Sequence, residues 1–184
     1  NVILSRLPNA GSVPEEEAKV IRGEALFFRG FSYRMLANLF GGVPLILEEV
    51  PAPRRDYVRA SREEVYEQIR KDLEEAVTLL PDIDAVKDGK ISKQVAQHLL
   101  SEIYICLNRN DEAIQTATAV INHPAMALMT NRFGSRANEE GDVYWDLFRL
   151  NNQNRSSGNK ESLWVLQYDY LNAGSKTAYN MPWA

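Results

Sequence analysis

The run Glu24-Ala-Leu-Phe-Phe-Arg-Gly-Phe-Ser-Tyr-Arg-Met-Leu-Ala-Asn-Leu-Phe-Gly-Gly-Val-Pro-Leu45 constrains the fold of this chain more than any other stretch. It reads as the main part of a long aromatic-rich helix that stops at Gly-Gly-x-Pro. The helix is expected to start near Pro14, a favourable first-turn residue, with Glu15, Glu16 and Glu17 where the positive end of the helix dipole favours acids. Ala18, Ile21, Ala25, Phe28, Ser32, Met35 and Leu39 recur at helical spacing and predict one buried stripe, which Leu26, Phe27 and Phe31 widen. Gly41 and Gly42 suit a left-handed helix end, and Pro44 forbids continuation.

Prolines and charges mix through residues 43 to 60, which predicts a long extended connection. Ser61-Arg62-Glu63-Glu64 then matches a capping box and starts a second helix. Its apolar face is Val65, Tyr66, Ile69, Leu73, Ala76, Val77 and Leu80, with Glu67–Lys71 and Arg70–Glu74 pairs outside and Pro81 just past the end. Ser92 is predicted to cap a third helix bearing Val95, Ala96, Leu99, Leu100, Ile103, Tyr104 and Leu107. After Asn108-Arg109-Asn110, Asp111 is predicted to cap a fourth with Ala113, Ile114, Ala117, Val120 and Ile121. Placing Tyr104 at the tyrosine of a tetratricopeptide repeat puts Leu100, Ser101 and Ala113 on the repeat's leucine, small-residue and alanine positions, although Gln97 and Ala117 depart from the pattern. The fold class is therefore all-α, built of tetratricopeptide-like helical pairs across 15–124, followed by a loop-rich part across 125–184 in which Ser162 to Tyr170 alternates like one short strand.

Composition removes several functions. A net charge of −4 over 184 residues lacks the clustered cations of a nucleic-acid binder. No stretch reaches the roughly 20 apolar residues of a membrane helix, because Arg29 and Arg34 interrupt the best candidate. The single cysteine, Cys106, is expected to be a buried small hydrophobe. Asp82, Asp84, Asp88 and Gly89 miss the register of a calcium loop, so neither metal nor cofactor is expected. The two histidines, His98 and His123, are expected to be structural, and the motifs of common enzymes are missing. Paired acids such as Glu48-Glu49, Glu74-Glu75 and Glu139-Glu140 read as solvated, so no enzyme is expected.

The tail carries a different signal. Tyr144, Trp145, Trp164, Tyr168, Tyr170, Tyr179 and Trp183 alternate with Asn151, Asn152, Gln153, Asn154, Asn159, Asn172 and Asn180. Aromatic faces stack on the carbon-bound hydrogens of a pyranose, while side-chain amides pair with its hydroxyls. Trp145 and Trp164, flanked by apolar residues, are expected to be core anchors. Tyr179, Asn180 and Trp183 are the candidate ligand-binding residues.

Four blocks, Glu24–Leu45, Ser61–Pro81, Gly89–Ile121 and Glu161–Tyr170, together resemble the SusD/RagB family of outer-membrane nutrient-binding lipoproteins. Asn1-Val2-Ile3 is also similar to the end of the helix that precedes the first block in that family. The resemblance implies one SusD-like domain across 1–184, an α-α superhelix with a ligand-facing, loop-rich part. It further implies a non-catalytic glycan-binding protein on the outer face of the outer membrane, held by an N-terminal lipid anchor. Its partner would be a TonB-dependent transporter of the SusC kind that receives the oligosaccharide. Family chains are longer and this one begins with Asn1 and no leader, so it reads as a fragment or processed form. A peptide-binding member of the family and a cytoplasmic helical-repeat adaptor are the alternatives.

Overall fold

The computed structural model describes residues 1–167. These residues group into two compact units, one formed by 1–86 and 91–127, the other by 87–90 and the residues from Leu128 onward. Among the described residues the regular elements are all helices: α1 (Val2–Arg6), α2 (Glu15–Phe40), α3 (Arg62–Leu79), α4 (Lys93–Cys106), α5 (Asn110–Ile121) and α6 (Val143–Leu147), with short 3₁₀ turns at Leu7–Asn9, Ile83–Ala85 and Arg155–Ser157. No helix among them is long and apolar enough to cross a membrane.

In the first unit α2 packs on α3, α3 on α4 and α4 on α5, the order of a helical-repeat stack. Local chemistry sets most boundaries. Ser61 accepts from the Glu64 amide while the Glu64 carboxylate accepts from the Ser61 amide, the reciprocal capping box expected there. Ser92 caps α4 through the Val95 amide. The fourth helix differs from expectation: it begins at Asn110 after Arg109, and Asp111 lies inside its first turn with no side-chain cap. Asn108 takes the left-handed conformation (φ 58°) that turns the chain there. Arg70 pairs with Glu74 as expected, but Glu67 also pairs with Arg70 rather than with Lys71.

The buried face of α2 is not the predicted stripe. Gly23, Leu26, Phe27, Gly30, Tyr33 and Ala37 are buried, while Phe28, Met35 and Leu39 are exposed. The apolar residues of α2 are spread over several sides of the helix, so periodicity alone could not choose one. The small residues choose it. A Cβ at Gly30 would lie 3.3 Å from Ile69 and one at Gly23 would lie 3.0 Å from Leu80, so the α2–α3 crossing depends on their absence. Facing them, Val65, Tyr66, Ile69, Leu73 and Ala76 of α3 are buried.

Gly41 closes α2 at the expected place, but with φ 71° and ψ −129° rather than in the left-handed helical conformation, whereas Gly42 is needed for a close approach: a Cβ there would lie 2.2 Å from the Ala60 carbonyl oxygen. Arg59 completes this end by donating to the carbonyls of Phe40 and Gly42, both at 2.7 Å. The connection 43–60 has no regular structure. Its start is tied to α2 by the Tyr33 hydroxyl, which accepts from the Ile46 amide at 2.6 Å and donates to the Ile46 carbonyl at 3.0 Å.

Further along the stack, Val95, Ala96, Leu99, Leu100, Ser101, Ile103 and Tyr104 of α4 are buried, as is Ala113 of α5. The repeat-like positions are therefore in the core. Two expectations fail here. Ile114 and Ile121 face outward, because among the described residues α5 packs chiefly on α4 and buries the Ala113–Val120 side. Cys106 is exposed at the end of α4, two residues beyond Tyr104, the last buried residue of that helix. His123 contacts the Asp82 carboxylate at 3.1 Å and is structural.

Candidate functional site

Among the described residues of the second unit, buried polar side chains hold the loops together around Phe133. Asp146 of α6 is fully buried and accepts from Arg132 at 2.5 and 3.1 Å and from the Phe133 amide at 3.2 Å. Arg132 in turn donates to the carbonyls of Arg136, Glu139 and Gly141 at 2.8–2.9 Å. Its hydrogen bonds hold the Asp146 carboxyl below the usual carboxylate range, and those same bonds raise the guanidinium.

Asn152 and Asn159 extend this network. The Asn152 amide donates to the Phe133 and Asp146 carbonyls and accepts from the Ser135 amide. Asn159 donates to the Asn152 carbonyl and accepts from the amides of Glu161 and Ser162. Both are fully buried, so two of the amides singled out for sugar pairing serve the loop scaffold. Asn154 exchanges hydrogen bonds with Gln167. Trp164 is half-buried and donates to the Gly89 carbonyl at 3.1 Å, while Asp88 accepts from the hydroxyl of Ser156. Ser162 to Gln167 forms no strand and shows no alternation of burial, with Leu166 and Gln167 both exposed, and the segment has no ladder partner among the described residues.

This scaffold sets the direction of α6. Asp142 caps it through the Trp145 amide at 2.7 Å, and the inward Asp146 forces its neighbours outward. Tyr144, Trp145 and Phe148 are 69%, 53% and 71% exposed. Trp145 is thus a surface residue and not the expected core anchor, since the buried residue of Tyr-Trp-Asp-Leu-Phe is the aspartate. The Tyr144 and Phe148 rings lie 5.1 Å apart at 60°. The Arg149 guanidinium sits 3.8 Å from the centre of the Trp145 ring, and Gly141 leaves room beside the indole, where a Cβ would fall 2.6 Å from Cε3. Tyr144 and Trp145 on α6 and Phe148 at its C-terminal cap form an exposed aromatic ledge for stacking, with one face of Trp145 taken by Arg149. Tyr179, Asn180 and Trp183 lie outside the described residues, as do Tyr168 and Tyr170.

The first unit carries a groove of about 780 Å³ against α2, lined by Ile21, Ala25, Phe28, Leu36, Ile46 and Tyr57 among others. Its polar wall is built into the fold: Tyr33 holds Ile46, and Arg29 is paired with Asp72. Asn1, Glu24 and Ser32 also line it, so the groove joins an apolar floor to a partly polar rim.

Residues 1–105 match the family model described as SusD-like, "Starch-binding associating with outer membrane". The chain belongs to the SusD-like family. SusD-like protein P2 of Formosa agariphila is 32% identical over 177 residues, 94% of this chain and 32% of that protein. A laminarin-binding SusD-like protein of known structure is 31% identical, with a TM-score of 0.65 over 72% of this chain and 30% of the other. A SusD-like carbohydrate-binding protein from Bacteroides fragilis superposes with a TM-score of 0.76 at 19% identity over 94% of this chain and 32% of its own, a likeness of fold. The chain spans about a third of the length of the curated SusD-like relatives it matches.

Proposed function

We propose that this SusD-like chain is part of a non-catalytic cell-surface protein that captures oligosaccharides and passes them to a TonB-dependent outer-membrane transporter, with a lipid anchor on the parent polypeptide. The observation that carries the reading is the outward ledge of Tyr144, Trp145 and Phe148, held by the bond of Arg132 to the buried Asp146, in a chain whose 31%-identical structural relative binds laminarin. Exposed rings on a rigid base suit sugar stacking because they lose little conformational freedom on binding. The reading keeps 1–184 as a piece of one SusD-like domain, 15–124 as scaffold and 125–184 as the ligand-facing part, with Tyr179, Asn180 and Trp183 as further contacts.

The test is isothermal titration with laminari-oligosaccharides of the protein and its Trp145→Ala, Tyr179→Ala and Trp183→Ala variants. Loss of affinity with an unchanged melting temperature supports each position, and unchanged affinity removes it. Affinity capture from detergent-solubilised outer membranes tests the handover: a stoichiometric TonB-dependent barrel supports it, and a cytosolic protein without one overturns it.

A further inference from the structure

We infer that the α6 ledge selects neutral glycans over uronate- or sulfate-bearing ones; this rests on the reading of the ledge as a sugar platform. Recognition of a sugar carboxylate or sulfate uses a guanidinium or ammonium group able to make charge-assisted hydrogen bonds to it. The cations between residues 132 and 149 are Arg132, Arg136 and Arg149, and each already faces a carboxylate of this chain. Arg132 is bonded to the fully buried Asp146. Arg149 lies between Asp146 at 3.6 Å and Glu139 at 3.9 Å, with its own side chain only 9% exposed. Arg136 stands 3.7 Å from Glu139.

The acids, by contrast, outnumber these cations. Glu140 and Asp142 flank the start of α6 and are exposed, so an approaching anion meets like charge there, beside an Arg136 that is itself 58% exposed and shared with Glu139. Recruiting Arg132 or Arg149 for such a ligand would uncover Asp146, whose burial makes that costly. A neutral pyranose needs none of this. Its apolar face lies on Tyr144, Trp145 or Phe148, and its hydroxyls accept the mixed polar rim as partners.

The experiment is affinity electrophoresis and titration of the protein against two neutral polymers, laminarin and xyloglucan, and two anionic ones, alginate and a carrageenan, at about 0.15 M salt. The expected result is binding to a neutral polymer that weakens about tenfold in Trp145→Ala or Phe148→Ala, with no binding of the anionic pair. Phe148→Ala guards against misfolding, since that ring is 71% exposed. Binding of alginate or carrageenan that is lost in Trp145→Ala overturns the selectivity while leaving the ledge a sugar site. Binding that neither substitution alters, or no binding of any of the four polymers, overturns the ledge reading and the selectivity with it.

Discussion

Arg29 and Asp72 meet across the α2–α3 interface through two hydrogen bonds of 2.6 and 2.7 Å, the arginine 14% and the aspartate 3% exposed. Asp72 also accepts from Gln68 at 2.8 Å, and Arg29 donates to the Leu47 carbonyl at 3.2 Å, so the pair links two helices to the connection that follows α2. The bonds to Asp72 outweigh burial and raise the Arg29 guanidinium further. Removing one partner leaves a desolvated charge. Arg29→Met or Asp72→Leu alone is expected to cost about 3–5 kcal/mol, whereas the double variant recovers much of the loss because no lone charge stays buried. Urea unfolding of the four proteins checks this. Equal losses that simply add would show the pair to be uncoupled.

Gly42 sits where the chain leaves α2 and runs back past Ala60. With the Ala60 carbonyl oxygen 2.2 Å from any Cβ, Gly42→Ala must separate the two strands of this return and break the Ala60 amide's 3.1 Å bond to Val43. The expected loss is about 1–3 kcal/mol, with Arg59 released from the helix end. Gly41→Ala tests a different cause, the positive φ with ψ −129°, and is expected to cost about 1–3 kcal/mol. Thermal melts that rank Gly42→Ala no worse than a surface substitution would contradict the steric account.

Tyr104 and Glu74 give the helical stack its pH dependence. The Tyr104 hydroxyl donates to Glu74 at 2.7 Å. Burial first, and that bond second, push the phenol from its ordinary value near 10 up to about 12. Burial alone would raise the Glu74 carboxyl, but the bonds from Tyr104 and Arg70 hold it below its ordinary 4.5. A raised phenol contributes stability that is complete below its unfolded value and is lost as pH rises from about 10 to 12. A lowered carboxyl contributes stability that is present above 4.5 and is lost as pH falls through its folded value. Stability is therefore expected to be flat near neutrality and to fall on both sides. Tyr104→Phe removes the phenol's alkaline contribution and weakens the acid one. Unfolding midpoints at pH 4, 7, 9 and 11 check this, and an alkaline fall of the same size in Tyr104→Phe would refute the assignment.

The parts of the fold that could be read from residues alone are those decided within one helical turn. The Ser61–Glu64 box, the Ser92 cap and the glycine stop of α2 each depend on atoms three or four residues apart. The buried side of α2 depends on a partner far along the chain, and apolar residues spread over several sides do not reveal it. Gly23, Gly30 and Ala37 recur every seven residues and mark the close crossing, a pattern that outranks the bulk of Phe28 and Met35. The tail shows the opposite difficulty. Composition suggested amides for sugar and tryptophans for the core, yet Asn152 and Asn159 are inside while Trp145 is outside. Composition does not distinguish an amide facing solvent from one satisfying buried carbonyls, and the aspartate within Tyr-Trp-Asp-Leu-Phe was the residue that set the orientation.

Asp146 therefore supports the ledge without touching its outer surface. It binds Arg132 and the Phe133 amide, and its own carbonyl receives the Asn152 amide, so the loops on both sides of α6 converge on one residue. In Asp146→Asn the shape is kept but the charge facing Arg132 is lost, and one side-chain oxygen is replaced by a donor aimed at other donors. Arg132 stays fixed by three carbonyls, so the change falls on α6 and the orientation of Trp145. The expected outcome is a lower melting temperature together with roughly tenfold weaker binding of the neutral oligosaccharide, the scale of losing one stacked ring. Asp142→Asn alters a cap that an asparagine fills equally well, and it is expected to leave both quantities unchanged. A drop in melting temperature with unaltered affinity in Asp146→Asn would mean that the ledge is not the surface the ligand uses.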